Sequence, residues 1–543
     1  MSSVRVIFGP EGIEVDVEEG TSLHEAAAIA GVLVEAPCGG LARCGGCRVV
    51  ASGGLSRVKP DEAEVLGPRA IQDGWRLACR ARAQGPEEVR VEQRRVADGG
   101  IRTVEHGVAG SATVTVQPPS ERGLVCAEPG AMLGAVVDLG TTTIVAGLVD
   151  LGSGAELGTA SSLNPQVAAG HDVLSRVSRA LDGRAEDLRR AAAGEIERLV
   201  LGLVAAAGLR PAQVCEIVLV GNAAMVHLLL GLDVSPFAGA PYEGVSVGAH
   251  AIPSCDAGLE AFPAARIYIP PAASAFVGAD IIAGLVATSV ATRTLPTLFI
   301  DLGTNGEIAL RTPDGMLACS TAAGPALEGM SIECGMRAEP GAVERVELSG
   351  INLVVATVDG AAPRGICGSG LLDVVSVLVE RGLIDRSGRM VVMKDDPLSR
   401  RLRDVDEVRR FMLDEDANVY LTQKDVRQLQ LAKGAVAAGI EVLLEVAGIA
   451  AADVAEVVIA GGFGLHVRPK SLVVLGLVPE LWHERITFAG NAAKTGGLLM
   501  LLDGTRRTEA ESLADGIRTV ALATRKDFQE RFVRNLAFPE EKR

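Results

Sequence analysis

The sequence of 543 residues lacks features that would place it in a membrane or outside the cell. It has no uninterrupted run of about 20 apolar residues, the length that spans a bilayer. The most apolar helical stretch, residues 434–454, is interrupted by Glu441, Glu445 and Asp453. Its first residues, MSSVRVIFGPEG, show no basic segment followed by an apolar run, so no secretory signal is expected. These absences predict a cytoplasmic protein with no membrane partner.

Positive charge and histidine are also scarce. The chain carries 52 Lys and Arg residues against 68 Asp and Glu, a net charge of -16. This balance argues against a nucleic acid as the main partner. The seven histidines are scattered, and none lies in an H-x-x-E or H-E-x-x-H pattern, so they predict no mononuclear metal site. His227 follows an apolar run at helical spacing and is predicted to be a core histidine.

Cysteine, in contrast, is present in a pattern. Three of the ten cysteines lie in the glycine-rich segment CGGLARCGGC, and a fourth follows in WRLACRA. Four thiolates are the usual ligands of a [2Fe-2S] cluster, and glycine lets the backbone wrap around it. A structural zinc site is the alternative, but zinc ribbons usually show two close Cys pairs. The spacing C-x5-C-x2-C-x31-C favours the [2Fe-2S] cluster, with the ligands Cys38, Cys44, Cys47 and Cys79.

The residues before this loop predict two strands and a helix. VRVIFGP and IEVDVEEG alternate like a hairpin, and SLHEAAAIAG has helical spacing with a glycine at its end. This order resembles the β-grasp fold of [2Fe-2S] ferredoxins over residues 1–92, with the cysteine spacing of the adrenodoxin-like subgroup. Residues 93–131 are dense in charge, proline and glycine, which predicts a linker with a small subdomain.

Beyond the linker the sequence repeats itself. AVVDLGTTTIVAGLVD begins at Ala135 and TLFIDLGTNGEIALRTPDG begins at Thr297, and each combines an apolar strand, the letters DLGT and a second strand. Residues 206–225 match residues 446–465 at a constant offset. We therefore expect two related α/β lobes, residues 132–290 and 291–543, that face each other across a cleft.

The tips of the two predicted hairpins carry residue types that bind phosphate. Glycine lets backbone amides approach an anion, and threonine adds hydroxyl donors. A single DLGT is often only a tight turn, but two copies beside a second repeated motif favour a phosphate site. The predicted phosphate-binding residues are Gly140, Thr141, Thr142, Gly303, Thr304, Asn305 and Gly306.

Acidic side chains beside these tips supply candidates for catalysis. Asp138 and Asp301 lie where a strand ends and are predicted to hold Mg²⁺ through water, since Mg²⁺ takes few carboxylates and keeps its hydration. Glu307, or Asp301 itself, is the candidate for orienting an attacking water.

This arrangement resembles the actin, sugar kinase and Hsp70 superfamily of ATPases, whose lobes have a ribonuclease H-like fold. DLGTTT and DLGTNGE correspond to its two phosphate motifs, and AGGFG at 460–464 corresponds to its adenosine motif. The resemblance implies ATP as a ligand. It adds to the predicted nucleotide site the glycines of that motif and the matching turn of the first lobe, namely Gly461, Gly462, Gly464, Gly221 and Asn222.

Further segments are similar to the reductive activators of corrinoid proteins, a family in which a ferredoxin domain precedes an actin-like ATPase. These segments include NPQVAAGHDVLSRV, CSTAAGPALEGMSIECGMRAEPGAV, GICGSGLLD, LTQKDVRQLQLAKGAV and GNAAKTGG. The resemblance implies that the protein returns inactive Co(II) to Co(I) in a methyltransferase system at the expense of ATP. A corrinoid protein and a low-potential electron donor are the implied partners, [2Fe-2S], ATP and Mg²⁺ are the implied cofactors, and a homodimer is a further expectation.

The chemistry gives a reason for joining the two modules. A plant-type cluster has a potential near about -400 mV, and protein-bound Co(II) is harder still to reduce. Each deficit of about 59 mV lowers the one-electron equilibrium about tenfold. An ATP-driven change that favours one complex over another can offset this deficit.

Two other functions remain open from the sequence. One is a redox-sensing small-molecule kinase of the actin-like superfamily, which would phosphorylate a substrate without a corrinoid partner. The other is a nucleotide-gated docking module that carries electrons and binds ATP without turnover. For the function of a corrinoid activator, Ser320, Thr321 and Glu328 are hypothesised to approach the corrin. Cys319, Cys334 and Cys367 are predicted to be buried small residues rather than ligands of a second cluster.

Overall fold

The computed structural model describes most of the chain outside the cysteine loop and the linker. The described residues are 3–9, 12–30, 32, 34, 42, 47–85, 88–92, 115–124, 130–240, 242, 245–462 and 467–540. Of the predicted site residues, Cys38, Cys44 and Gly464 lie outside them. Within the described ranges, no helix has the length and apolarity needed to cross a bilayer.

The N-terminal module, residues 3–92, is a five-stranded sheet with two helices. Its elements are β1 (Ser3–Gly9), β2 (Ile13–Glu18), α1 (Leu23–Ile29), β3 (Arg48–Gly53), α2 (Pro60–Gln72), β4 (Trp75–Leu77) and β5 (Val89–Glu92). The strand order is β2-β1-β5-β3-β4. The alternating side chains of β1 bury Val4, Val6 and Phe8 against Leu23 of α1 and Leu77 of β4. This core is the physical basis of the predicted β-grasp fold.

The first lobe is built on a six-stranded sheet with helices against it. Its elements are β6 (Leu133–Leu139), β7 (Thr143–Asp150), β8 (Glu156–Leu163), α3 (Val173–Arg179), α4 (Ala185–Ala206), β9 (Val214–Gly221), α5 (Ala223–Leu230), β10 (His250–Pro253), β11 (Arg266–Ile269) and α6 (Ala279–Thr288). The order is β10-β11-β9-β6-β7-β8. β6, β7 and β8 are antiparallel neighbours, and β9 runs parallel to β6.

The second lobe repeats this plan and adds two small sheets. Its elements are β12 (Thr297–Leu302), β13 (Gly306–Thr312), β14 (Gly315–Thr321), β15 (Ala342–Ser349), β16 (Asn352–Thr357), β17 (Gly365–Ile366), α7 (Gly368–Glu380), β18 (Leu402–Val405), β19 (Val408–Asp414), β20 (Val419–Thr422), α8 (Gln423–Ala447), β21 (Glu456–Ala460), α9 (Pro469–Val474), β22 (Ile486–Gly490), α10 (Ala492–Leu502), α11 (Thr505–Gly516), β23 (Ile517–Thr519) and α12 (Lys526–Arg534). The main sheet has the order β22-β21-β12-β13-β14-β23.

The internal duplication predicted from the sequence is confirmed. Five strands have the same order in both lobes, β11-β9-β6-β7-β8 in the first and β22-β21-β12-β13-β14 in the second. The repeated DLGT segments lie at the ends of β6 and β12, and the second repeated motif contains β9 and β21. The two small sheets, β16-β15-β17 and β18-β19-β20, have no counterpart among the described residues of the first lobe.

Helices α6 and α10 join the two lobes. They pack against each other and share an apolar cluster that takes Val136 and Val218 from the first sheet and Phe299 and Val458 from the second. Glycine allows this close approach, because a Cβ at Gly496 would lie 1.9 Å from the Ala283 carbonyl oxygen. The floor of the cleft between the lobes therefore consists of the strand ends and the starts of these two helices.

Candidate functional site

The predicted phosphate hairpins both form, and their tips face each other. The amide of Gly140 closes the first tip by donating to the Thr143 carbonyl at 3.0 Å, and that of Gly303 closes the second by donating to the Asn305 carbonyl at 3.0 Å. The glycines therefore shape the turns. The threonine hydroxyls meet in the middle, with Oγ1 of Thr142 and Oγ1 of Thr304 2.8 Å apart.

A cavity of about 180 Å³ opens between the lobes at these tips. It brings together residues from four separated segments of the chain, as the repeated motifs predict. The predicted site residues that line it are Asp138, Gly140, Thr141, Thr142, Asn222, Asp301, Gly303, Thr304, Asn305, Glu307, Gly461 and Gly462.

Two glycines of the predicted nucleotide site are not among the lining residues. A Cβ at Gly221 would lie 2.7 Å from the Leu139 carbonyl oxygen, and one at Gly306 would lie 2.7 Å from Oγ1 of Thr321. Both positions therefore need glycine for the packing of strands, and their contact with a nucleotide stays a prediction. Gly461 fits its assignment better, since its φ is 116° and its backbone passes the end of β12 at the cavity wall.

The carboxylates of the cleft have strongly shifted pKa values. Burial raises the pKa of Asp138 to about 6, opposed by a hydrogen bond from Nδ2 of Asn491 at 2.9 Å and by the charge of Lys494. Burial also raises the pKa of Asp301 to about 8, and the nearby carboxylates, led by Asp280, reinforce this rise. At pH 7 these two aspartates are in different protonation states.

Glu307, the candidate for orienting an attacking water, is buried in the cleft. Its pKa is raised well above the ordinary value, first by burial and then by the charges of Asp280 and Asp301. Oγ of Ser320 donates to its Oε1 at 3.3 Å. Burial and the neighbouring carboxylates thus favour the protonated form of Glu307, and its role in orienting water stays a prediction.

Several lining residues were absent from the predicted site: Asp280, Glu328, Arg337, Glu344 and Asn491. Burial and the charge of Asp138 raise the pKa of Asp280, at the start of α6, to about 7. Arg337 is the single cationic side chain among the described lining residues, which include six carboxylates. The segments GAD at 278–280 and GNAAKTGG at 490–497 both begin helices at the cleft, which is the signal that marks Asp280 and Asn491.

The three side chains hypothesised to approach the corrin face the second hairpin. Besides the Ser320 contact with Glu307, Oγ1 of Thr321 donates to the Gly306 carbonyl at 3.0 Å. Oγ1 of Thr304 donates to both carboxylate oxygens of Glu328 at 3.1 Å. Ser320 and Thr321 are on β14, the neighbour of the hairpin strand β13, and their approach to a corrin stays a prediction.

The cleft offers oxygen donors suited to Mg²⁺. Asp138, Asp280 and Asp301 all open into it from strand or helix ends. Among the described residues, no group of three His, Cys, Asp or Glu side chains is arranged to hold a metal ion by itself. Mg²⁺ bound with a nucleotide needs only one or two carboxylates besides phosphate oxygens and water. The residues present therefore fit Mg²⁺ delivered with a nucleotide.

The two described cysteines of the predicted cluster site lie together. Sγ of Cys47 is 3.3 Å from Sγ of Cys79, and this contact lowers the pKa of Cys79 to about 7. Two thiolates on one tetrahedral metal ion at about 2.3 Å would be about 3.8 Å apart, so the pair fits two ligands of one iron.

A buried ion pair supports Cys79. Glu62 on α2 accepts from Nε of Arg76 at 2.9 Å and from the amide of Leu77 at 2.9 Å, and its side chain is fully buried. This carboxylate ties α2 to β4, which ends two residues before Cys79.

Three further cysteines and His227 behave largely as predicted. Cys319 and Cys367 are buried, and burial raises their pKa values, whereas Cys334 is half-buried. Nδ1 of His227 lies 2.8 Å from the Ala223 carbonyl oxygen, and its Nε2 accepts from the Ser246 amide at 3.1 Å. The prediction of a core histidine is confirmed.

Comparisons with known proteins agree with this architecture. Residues 6–84 match the 2Fe-2S iron-sulfur cluster binding domain, residues 133–293 match the RACo middle region, and residues 296–543 match the C-terminal domain of RACo, the ASKHA domain. The "Corrinoid activation enzyme RamQ" of Eubacterium limosum is 34% identical over 418 residues, which are 75% of this chain and 70% of that protein. The chain belongs to the family of corrinoid activation enzymes.

Other relatives extend the family match. The "[Co(II) methylated amine-specific corrinoid protein] reductase" of Methanosarcina barkeri is 25% identical over half of this chain and 52% of its own length. The solved structure of a "Reductive activator for corrinoid,iron-sulfur protein" has a TM-score of 0.72 and 28% identity, covering 99% of this chain and 98% of that one. The predicted family and fold class of this corrinoid activation enzyme are confirmed.

Proposed function

We propose that this protein reduces the Co(II) form of a corrinoid protein to Co(I) in a methyltransferase system, one electron at a time, and couples the transfer to ATP. One observation carries the proposal: a close thiol pair in a 2Fe-2S domain and an acidic cleft between two phosphate hairpins occur in a single chain of this family. A kinase of similar fold would not need the N-terminal module.

The ATP site that we propose is the cleft. The hydroxyls of Thr142 and Thr304 and the amides that follow the turn-closing glycines face the phosphates. Gly461 and Gly462 line the wall on which the adenosine lies. Arg337 supplies a cation in a cleft that otherwise carries negative charge, and a guanidinium is suited to phosphate recognition.

For hydrolysis we assign the acidic groups different tasks. Asp138, which is largely ionised at pH 7, is the better of the two strand-end aspartates for Mg²⁺. Asp280, with a pKa of about 7, is better matched than Glu307 to orient water and accept its proton, because a base works best with a pKa near the working pH. Burial and nearby carboxylates raise the pKa of Asp301 to about 8, and Mg²⁺ bound in the cleft would favour its ionised form.

Electron transfer belongs to the N-terminal module. A [2Fe-2S] cluster bound by Cys47 and Cys79 together with Cys38 and Cys44 supplies single electrons at low potential. The residues around it keep Cys79 in place, with the Glu62 carboxylate fixing the strand that leads to it. Because the transfer is uphill, the ATP state of the cleft must favour the complex in which cobalt is reduced.

The remaining parts of the proposal concern organisation. We propose domain limits at 1–92, 93–131, 132–290 and 291–543, which the continuous sheets of the described residues support. A low-potential electron donor reloads the cluster, and the protein works as a homodimer in the cytoplasm.

Optical spectroscopy tests the function directly. The anaerobically reconstituted protein is mixed with a low-potential reductant and a Co(II) corrinoid protein, and the visible spectrum is recorded with and without Mg-ATP. We expect the Co(I) band only with Mg-ATP, and its loss in Cys79→Ala but not in the control Cys255→Ala, an exposed cysteine. Consumption of ATP without Co(I) across several corrinoid proteins would favour the kinase, to be pursued through a phosphorylated product.

A further inference from the structure

The tips of the two phosphate hairpins hold the carboxyl group of Glu328 between them. Both carboxylate oxygens of Glu328 accept from Oγ1 of Thr304 at 3.1 Å. The Thr142 hydroxyl and the backbone amide of Thr304 also donate to this carboxylate. Donors from both lobes therefore converge on the oxygens of one side chain.

These donors are the ones that a terminal phosphate needs. A phosphate group, like a carboxylate, presents negative oxygens that accept short hydrogen bonds from hydroxyls and backbone amides. The hydroxyls of Thr142 and Thr304 are the groups of the two tips that lie closest to each other, at 2.8 Å. Carboxylate and phosphate cannot use the same hydroxyl hydrogens at once, and their charges repel each other.

The backbone around Glu328 is closely packed. Glu328 ends a short 3-10 turn, Pro325–Glu328, and a Cβ at the following Gly329 would lie 2.3 Å from the Met336 carbonyl oxygen. A Cβ at Gly368 would lie 1.8 Å from the Leu327 carbonyl oxygen on the other side. The Glu328 side chain is partly exposed to the cavity. The side chain, rather than the turn, is therefore the part with room to move.

We propose that the carboxylate of Glu328 occupies the position that the terminal phosphate of ATP takes, so that ATP must displace it and ADP need not. This inference rests on the proposed function, because it assumes that the cleft binds ATP. It makes Glu328 a residue that distinguishes the triphosphate from the diphosphate. ATP binding is weakened by the displacement.

The test is nucleotide binding by Glu328→Gln, a replacement of nearly the same size without the charge. Titration calorimetry with Mg²⁺ at pH 7.5 compares a non-hydrolysable β,γ-imido analogue of ATP with ADP. We expect the analogue to bind about tenfold more tightly than it binds the wild type, the change that loss of one charge-assisted contact gives. ADP affinity should change less than about twofold.

Glu344→Gln is the matched control, since it removes one carboxylate from the same cleft lining at a residue outside both hairpins. It should change both affinities by the same small factor. Glu328→Ala, like Glu328→Gln, should strengthen binding of the analogue more than binding of ADP. A thermal melt establishes that each variant is folded.

The same titrations can overturn the inference. Equal changes for the analogue and ADP would exclude displacement by the terminal phosphate. Weaker binding of the analogue would make Glu328 a ligand of Mg²⁺ or of the nucleotide. Failure of the wild type to bind either nucleotide would overturn both this inference and the proposed function, whereas nucleotide binding without the selective gain would overturn the inference alone.

Discussion

The two phosphate hairpins have the same backbone but different electrostatic surroundings. The first tip is held from behind by Arg176, which is fully buried and donates to the carbonyl of Thr141 and, at 2.9 Å, to that of Gly170. The second tip faces the carboxylate of Glu328. A buried guanidinium thus supports one copy, and a carboxyl group contacts the other.

Asp138 and Asp301, at the ends of the repeated strands β6 and β12, also differ in their electrostatic surroundings. Asp138 accepts a hydrogen bond from Asn491, the residue before α10, and the pKa of Asp138 is raised only to about 6. The pKa of Asp301 reaches about 8 because burial is reinforced there by other carboxylates. Duplication has kept the turn that places each aspartate and has let its neighbours diverge. We therefore expect unequal roles for two residues in equivalent positions.

Replacing the two aspartates gives the largest effect. Asp138→Asn and Asp301→Asn should each lower the kcat of ATP hydrolysis by about a hundredfold or more, because removal of a group acting on transition-state charge typically costs this much. Steady-state hydrolysis and the Co(I) band measure the loss. A strong loss in one variant and full activity in the other would show that a single aspartate suffices.

The pH dependence of stability separates the same two residues. A carboxyl with a raised pKa holds its proton longer in the folded protein, so its contribution to stability falls as pH rises from the unfolded value to the folded one. For Asp138 this window runs from 3.8 to about 6, and for Asp301 from 3.8 to about 8. Asn imitates the protonated form and removes the loss.

Thermal melts of the nucleotide-free protein test this sign. Asp301→Asn should gain stability over the wild type progressively up to pH 8, and by more than Asp138→Asn gains. The gain of Asp138→Asn should be complete by about pH 6 to 7 and smaller. Identical pH profiles for the two variants would contradict the difference between the hairpins.

Substitution of Arg337 tests whether ATP binding depends on the single cationic side chain among the described lining residues of the cleft. Arg337→Gln should weaken ATP binding about tenfold, since a charged hydrogen bond in a partly buried site contributes about this much. Arg337→Lys should recover part of the affinity because it restores the charge without the planar guanidinium. The control is Arg345→Gln, an exposed residue paired with Glu347. Unchanged ATP affinity in Arg337→Gln would remove the assigned contact.

Asn491→Ala should have the smallest effect. Loss of its hydrogen bond makes Asp138 resemble Asp301 and raises the pKa of Asp138 by about one unit, the change that about 1.4 kcal/mol of interaction produces. The acidic limb of the pH profile of kcat/KM for ATP should move upward by that amount, with a decrease of a few-fold at pH 7. A profile that stays in place would show that Asp138 does not control this limb.

Local patterns were sufficient for much of the fold and part of the site. The DLGT repeats correctly predict both hairpins, and the cysteine spacing predicts a site where Cys47 and Cys79 do meet. The same patterns assign Gly221 and Gly306 to the nucleotide, because glycine needed for strand packing and glycine needed for a ligand look alike in a sequence. Asp280 and Glu328 were missed in the nucleotide site because each lies far along the chain from the motif whose residues it faces.

The sequence by itself determined the two modules, the duplication and the residue types at the hairpin tips, since these depend on periodicity, turns and spacing over a few residues. Only the tertiary structure decided the protonation of the cleft. The pKa of Asp301 depends on burial and on Asp280, which reaches the same cavity from α6 of the other lobe. Charges interact through space and through the local dielectric, so their effect is defined only when the lobes have closed around them.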